Sequence, residues 1–140
     1  MKIKRRTIGK GRSTRASSLV EAIVGFIVII PIGLAAVDVA TLISTSQTNE
    51  QVAEQAARAA ACQRSDKGAQ KAAEESAQQT PTSNIITNIA VDPVKYDPVK
   101  GEVTVSTSMQ VKMPIPLPYL NQFDLHASAM QPIVAFPASI

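Results

Sequence analysis

The chain has one cysteine, one histidine, no tryptophan and five aromatic residues among 140. A single cysteine excludes an internal disulfide framework and a cysteine-only metal site, and a single histidine excludes a histidine cluster. Also missing are a nucleophile spaced with a base, a paired-carboxylate motif and a glycine-rich phosphate loop. The chain is therefore read as a non-enzyme with no cofactor and no metal. Its length suits one small domain.

Fourteen Lys and Arg against eleven Asp and Glu give a formal charge of +3 and a pI near 9.2. That excess is local. Lys2, Lys4, Arg5, Arg6, Lys10, Arg12 and Arg15 stand in the first fifteen residues with no acid among them, whereas residues 16–140 hold seven bases and eleven acids. The basic pI belongs to a leader, not to a basic domain surface. The leader has no aromatic residue to stack a base, and basic residues just before an apolar run already have an orienting role, so no nucleic acid partner is expected.

Behind the leader comes LVEAIVGFIVIIPIGLAAVDVATLI, Leu19 to Ile43, whose only charges are Glu21 and Asp38. As a helix the run measures about 37 Å against a hydrocarbon core of about 30 Å, long enough to span with both acids near the edges. The positive-inside rule places the N-terminus in the cytoplasm and the remaining hundred or so residues outside. Two cleavage sites compete. A signal peptidase would cut on the far side, near Gly33-Leu34-Ala35, and discard the helix. A cut between Ala16 and Ser17 would keep it and create an α-amino group one helical turn from Glu21. That amine offers a partner for a carboxylate that lipid would otherwise penalise by about 2.5–3.5 kcal/mol at mid-depth.

The order of basic leader, small residue, SSLVE and long apolar helix resembles the class III signal peptides of type IV pilins and pseudopilins, and most closely TadE-like proteins of tight-adherence pilus systems. The seventeen-residue spacing of Glu21 and Asp38, QVAEQAARAAACQR and the distal VTVSTSMQVKMPIPLPYL and LHASAMQ share the likeness, which covers most of residues 12–135. The residue before the cut is Ala16 here, where the family usually has Gly. The resemblance implies processing by a prepilin peptidase at Ala16 and Ser17, Glu21 as an assembly residue, and Asp38 as a possible assembly partner. It also implies other pilin subunits, a pilus assembly platform and motor, and membrane lipid as partners. The bacterial cytoplasmic membrane, crossed once, is the expected location, with the exported domain outside or in a pilus. From the residues alone Glu21 also fits an acid snorkelling to water, and Asp38 reads first as an acid solvated at the outer interface.

Four segments follow: the leader at 1–16, the membrane part of a helix at 17–43, its exported half at 44–64, and a small domain at 65–140. One helix is expected from about Ser17 to Cys62, because no Gly or Pro falls between Ala35 and Arg64. Leu42, Ile43, Val52, Ala53, Ala56, Ala57, Ala60 and Ala61 form its apolar stripe, and its alanines allow close approach of a second layer. Cys62 is read as a small buried hydrophobe, with an intermolecular disulfide as the alternative. Ser65 or Asp66 caps a short helix running to about Gln79, with Ala69, Ala72, Ala73 and Ala77 on its inner side.

The remainder reads as strand: Ile85 to Val91, then a period-two run in which Val103, Val105, Thr107, Met109, Val111 and Met113 share one face. A further strand sets Phe123, Leu125, Ala127 and Ala129 against Asp124, His126, Ser128 and Met130. PIVAFPASI offers an edge segment. DPVKYDPVKG, Asp92 to Gly101, is expected as a turn-rich loop in which Asp92 and Asp97 are turn residues, not calcium ligands. MPIPLPYL is expected as a polyproline-like crossing outside regular pairing. The fold class is α+β: a long N-terminal transmembrane and amphipathic helix packed on a small antiparallel sheet of three or four strands with two protruding loops. The alternative function is a Sec-exported or signal-anchored envelope binding module.

Overall fold

A computed structural model describes residues 13–117 and 120–135. The first twelve residues of the leader, Pro118, Tyr119 and the end of the C-terminal tail lie outside the described residues. The fold is α+β, one long helix and one short helix with a four-stranded antiparallel sheet. The chain divides into two units, Met1–Val37 and Asp38–Ile140.

Helix α1 runs Ser13–Ala61, starting four residues earlier than expected and passing through Pro31 without ending. It stops at Ala61, and carbonyls at and just beyond its end are taken up by donors from other parts of the chain, which any helix C-terminus lacks. Gln63 N–H donates to the Ala60 carbonyl at 3.0 Å, Val134 N–H to Ala61 at 3.1 Å, and the Tyr96 hydroxyl to Gln63 at 3.1 Å. Ser65 then caps helix α2, Asp66–Gln78, from an extended backbone, its Oγ accepting the Gly68 N–H at 3.2 Å. Gly68 leaves room for that cap, since a Cβ there would stand 3.0 Å from the same Oγ. Ala69, Ala73 and Ala77 are the buried side of α2, while Ala72 is only half-buried.

The strands are β1 (Ile86–Val91), β2 (Lys95–Asp97), β3 (Glu102–Leu117) and β4 (Leu120–Pro132). β3 is central. β4 pairs with it from Glu102 to Lys112 along one edge; β1, opposite residues 107–111, and β2, opposite residues 102–104, follow one another along the other edge. The expected alternation holds along β3 from Val103 to Met113: Val103, Val105, Thr107, Met109, Val111 and Met113 are all buried, and the residues between them are half-buried or exposed. In β4 the same alternation sets Phe123, Leu125, Ala127 and Ala129 half-buried against exposed Asp124, His126, Ser128 and Met130.

Each loop expectation holds in part. In DPVKYDPVKG, Lys95–Asp97 is strand β2, and only the second repeat is a turn. There Asp97 Oδ1 accepts the N–H groups of Val99 and Lys100, both at 3.0 Å, and Gly101 closes the turn at φ 72°, a left-handed conformation that glycine adopts without a Cβ clash. Identical pentapeptide positions thus diverge: Val94 is buried, its N–H held by Gln70 Oε1 at 2.8 Å, while Val99 is 94% exposed. MPIPLPYL lies outside regular pairing over Met113–Pro116, as expected, but its described part is strand. Its first part continues β3, whose pairing with β4 skips from Lys112 to Leu117, the stretch that contains Pro114 and Pro116. Prolines remove the ladder donors there without ending the extended backbone. The tail, as far as it is described, adds no strand; Ile133 instead enters the core, its N–H donating to Gly101 at 2.8 Å.

The core lies where Ala56, Ala57, Ala60 and Ala61 of α1 and Ala69 and Ala73 of α2 meet Val94, Val103, Val105 and Ile133. A second cluster joins Val52 and Ala77 to Met109 and Val111. Small side chains form the helix side of both clusters, and added volume in a packed core is poorly tolerated. Ile43, expected in the α1 stripe, is exposed, and so is Cys62. Cys62 lies one residue past the last turn, where the chain leaves the helical spacing that buries Ala60 and Ala61.

Two substitutions test this packing by thermal unfolding of the full chain in detergent. Met109→Ala should cost about 2–5 kcal/mol by opening a cavity. Ala57→Leu should cost about 1–3 kcal/mol by overpacking; an Ala57→Leu chain that melts with the parent would show that α1 and the sheet are not in close contact.

Candidate assembly surface and helix–sheet polar contacts

Ser17 and Glu21 are exposed and lie four residues apart on α1, one turn of helix. The Ala16–Ser17 bond is within the helix, since α1 begins at Ser13. From Leu19 to Val37 the large apolar side chains are exposed in every direction around the helix, among them Ile23, Phe26, Ile27, Ile30 and Leu34. Helices apolar on all sides are stable in lipid or against other helices, because water would solvate no face of them well. α1 is long and apolar enough to cross a membrane.

Asp38 corrects the expectation of a solvated interfacial acid. It is 2% exposed, its Oδ1 accepts the Ile115 N–H at 3.3 Å, and its Oδ2 is buried without a hydrogen-bond partner. Glu21 and Asp38 stand seventeen positions apart in the sequence and fall in different units of the chain.

Further along α1, Thr45 and Asn49 are buried as well. Thr45 Oγ1 donates to the Thr41 carbonyl at 2.8 Å, closing its hydroxyl within the helix. Asn49 bridges helix and sheet. Its Oδ1 accepts the Thr107 hydroxyl at 2.9 Å, and its Nδ2 donates to the Leu125 carbonyl at 3.0 Å. Thr107 is fully buried, so Asn49 satisfies a hydroxyl that the sheet face otherwise leaves without a partner. Sequence reasoning placed Thr107 on the buried face but missed Asn49 and Thr45. The signal was there: stepping back from Ala56 by three and four residues reaches Val52, Asn49, Thr45, Leu42 and Asp38, one continuous helix face.

The polar surface is otherwise plain. Glu54 and Arg58 pair at 3.3 Å on the exposed side of α1, worth about 0.3–0.5 kcal/mol. Cys62 is free and His126 exposed. Among the described residues no three His, Cys, Asp or Glu side chains converge on a possible metal position. The depression bounded by Thr48, Gln51, Val52, Gln55, Gln79, Thr80 and Pro81 is shallow and holds no titratable group.

Compared with known families, curated proteins and solved structures, the chain matches none. The residues themselves therefore carry the functional interpretation: an uncovered apolar helix with Glu21 near its start, a buried Asp38, and a sheet fastened to the same helix.

The polar bridge is testable by a double-mutant cycle on melting temperature. Asn49→Ala should cost about 1–3 kcal/mol, since it strands the Thr107 hydroxyl in the core. Thr107→Val in that background should cost less than it does alone, giving a coupling of about 0.5–3 kcal/mol. At the other end of the face, Asp38→Asn keeps the acceptor for Ile115 and should melt near the parent, whereas Asp38→Ala should lose about 1–3 kcal/mol. Equal melting of the two Asp38 variants would remove the role given to that hydrogen bond.

Proposed function

We propose that the protein is a minor pilin or pseudopilin of a TadE-like, tight-adherence type pilus system. Its N-terminal helix holds it in the bacterial cytoplasmic membrane with the leader in the cytoplasm and residues beyond the span outside. A prepilin peptidase cuts between Ala16 and Ser17, and the subunit joins a pilus by lateral packing of α1 against other pilin subunits, driven by the assembly platform and motor. The observation that carries this is the all-round exposure of the apolar side chains from Leu19 to Val37, joined to one acid a single turn beyond the bond to be cut. A surface of that kind suits lipid first and neighbouring helices afterwards, since small shifts of apolar helices between the two leave apolar contacts in place. Glu21 adds selectivity: inside an apolar bundle a carboxylate is costly unless an ammonium meets it, and the new Ser17 terminus is such a group on each subunit. This is a structural role, without an enzyme's chemistry, a cofactor or a nucleic acid.

A second reading is favoured by one observation. The division of the chain after Val37 falls just beyond the Gly33-Leu34-Ala35 site, so a signal-peptidase cut would release Asp38–Ile140 whole as an exported binding module.

Intact mass and N-terminal sequencing of the membrane fraction distinguish the two. A mature chain beginning at Ser17 is expected; one beginning near Ala36 would replace the pilin interpretation with the exported module. Glu21→Ala should still be processed yet be absent from sheared filaments, and its normal incorporation would remove the charge role given to Glu21.

A further inference from the structure

The two edges of the sheet are unlike. One is broken into β1 and β2, with a bulge between Ile86 and Asn88, Pro93 between the strands, Lys95 on β2, and α2 beside β1 where Ala77 meets Ile89. Interruptions, prolines, lysines and a covering helix are the devices that keep a sheet edge from pairing with another chain. β4 forms the other edge, and among the described residues no strand pairs with its outer side. From Gln122 to Pro132 its register against β3 has no bulge, and the segment holds no Lys, no Arg and no Pro before Pro132.

Hydrogen bonding fixes which groups that bare edge presents. Asp92 N–H donates to the Ser106 carbonyl and Lys112 N–H to the Ile85 carbonyl, so even-numbered residues of β3 turn their backbone groups toward β1 and odd-numbered ones toward β4. The bonded pairs of β3 with β4 are therefore Val105–Ala129, Thr107–Ala127, Met109–Leu125 and Val111–Phe123. Asp124, His126, Ser128 and Met130 alternate with these on β4 and aim their N–H and C=O groups away from β3. On the helix side of the sheet Phe123, Leu125, Ala127 and Ala129 are only half-buried, whereas their neighbours on β3 are buried. The apolar layer is thus incompletely covered along the same edge that leaves its backbone groups unpaired.

We propose that the outer edge of β4 pairs antiparallel with the same strand of a second copy of the chain, across a two-fold axis at Leu125. Charge and size select this occupant and this register. Asp124 and His126, both exposed, stand opposite each other between the copies, a carboxylate beside an imidazole donor, and the two-fold axis makes that contact twice. On the helix side Phe123 stands opposite Ala127, large against small, and Leu125 meets its own copy. Sliding the register by two residues one way sets Asp124 against Asp124, and the other way sets His126 against His126. The pairing goes beyond the pilin reading. From Asp38 to Ala61, α1 runs in the direction of β4, since Asp38 reaches Ile115, Asn49 reaches Leu125 and the Ala61 carbonyl receives Val134 N–H. The axis sets these helix segments of the two copies antiparallel, so the contact joins copies that are not neighbours in a parallel helix bundle.

The test uses the full chain in detergent, carrying Cys62→Ser and one new cysteine. Under mild oxidation Gln122→Cys and Ser128→Cys should each cross-link poorly alone and several-fold better when mixed, because the register places residue 122 of one copy opposite residue 128 of the other, within disulfide reach. Val99→Cys, on the exposed turn, should stay uncross-linked. Adding His126→Asp to both mixed chains should lower the mixed yield several-fold by setting carboxylates opposite each other, and adding Asp124→Lys as well should restore it. Should Gln122→Cys or Ser128→Cys fail to fold, Leu125→Cys, which meets its own copy, makes the same comparison against Val99→Cys. Equal cross-linking of Gln122→Cys alone and in the mixture would overturn the antiparallel register. A mixed yield no higher than that of Val99→Cys would overturn the pairing itself, and one indifferent to His126→Asp would overturn the contact that selects a second copy. None of these outcomes bears on cleavage between Ala16 and Ser17, which tests the pilin reading separately.

Discussion

Packing of the alanine face of α1 on the buried face of β3 is the constraint on which the unit Asp38–Ile140 depends. Neither partner is stable by itself: a helix half rich in Ala and Gln buries little area per residue, and a sheet with one apolar face needs that face covered. Among the described residues, the largest fully buried side chains are Met109, Val103, Val105, Val111, Asn49 and Thr107, with no aromatic among them. Small side chains bury little area apiece, so stability here comes from many small side-chain contacts rather than from a few large anchors.

Small, uniform side chains set register only weakly, and polar contacts perform that task. Asn49 is bonded at once to a side chain of β3 and a carbonyl of β4, so sliding α1 by one turn would leave the buried Asn49 and Thr107 side chains without partners. Asp38 does the same at the far end of β3, and Val134, Tyr96 and Ile133 tie the C-terminal end of α1 and the neighbouring turn to the sheet side. Apolar faces slide over one another at little cost; directional bonds at both ends of the face remove that freedom. A subunit proposed to be drawn from a bilayer into a filament by its helix would need its domain held to that helix in this way.

The backbone pattern was largely legible in the sequence. Period two across residues 103–113, helical spacing of alanines from Ala53 to Ala61 and from Ala69 to Ala77, and the Ser65 cap each depend on local geometry that repeats every two or 3.6 residues. For the candidate site, the exposed apolar helix with Glu21 a turn beyond Ser17 was equally legible, because a run of apolar residues needs no partner to be recognised. Less legible were the places where one short segment had two uses. DPVKY and DPVKG differ only in the fifth residue, and it is the neighbouring Gln70 and the β3 edge that draw the first into the sheet. Cys62 and Ile43 were misplaced because each lies at the margin of a helical stripe, where half a turn separates core from solvent.

The order and type of the elements, the apolar span and the two acids at its ends were thus determined by the sequence itself, through local periodicity and the cost of exposing apolar surface. Only the tertiary structure decided that Asp38 is covered and that Asn49 is the bridge from helix to sheet. Burial of a polar side chain depends on what packs over it from residues 58 to 77 positions away, and no local pattern records that distance.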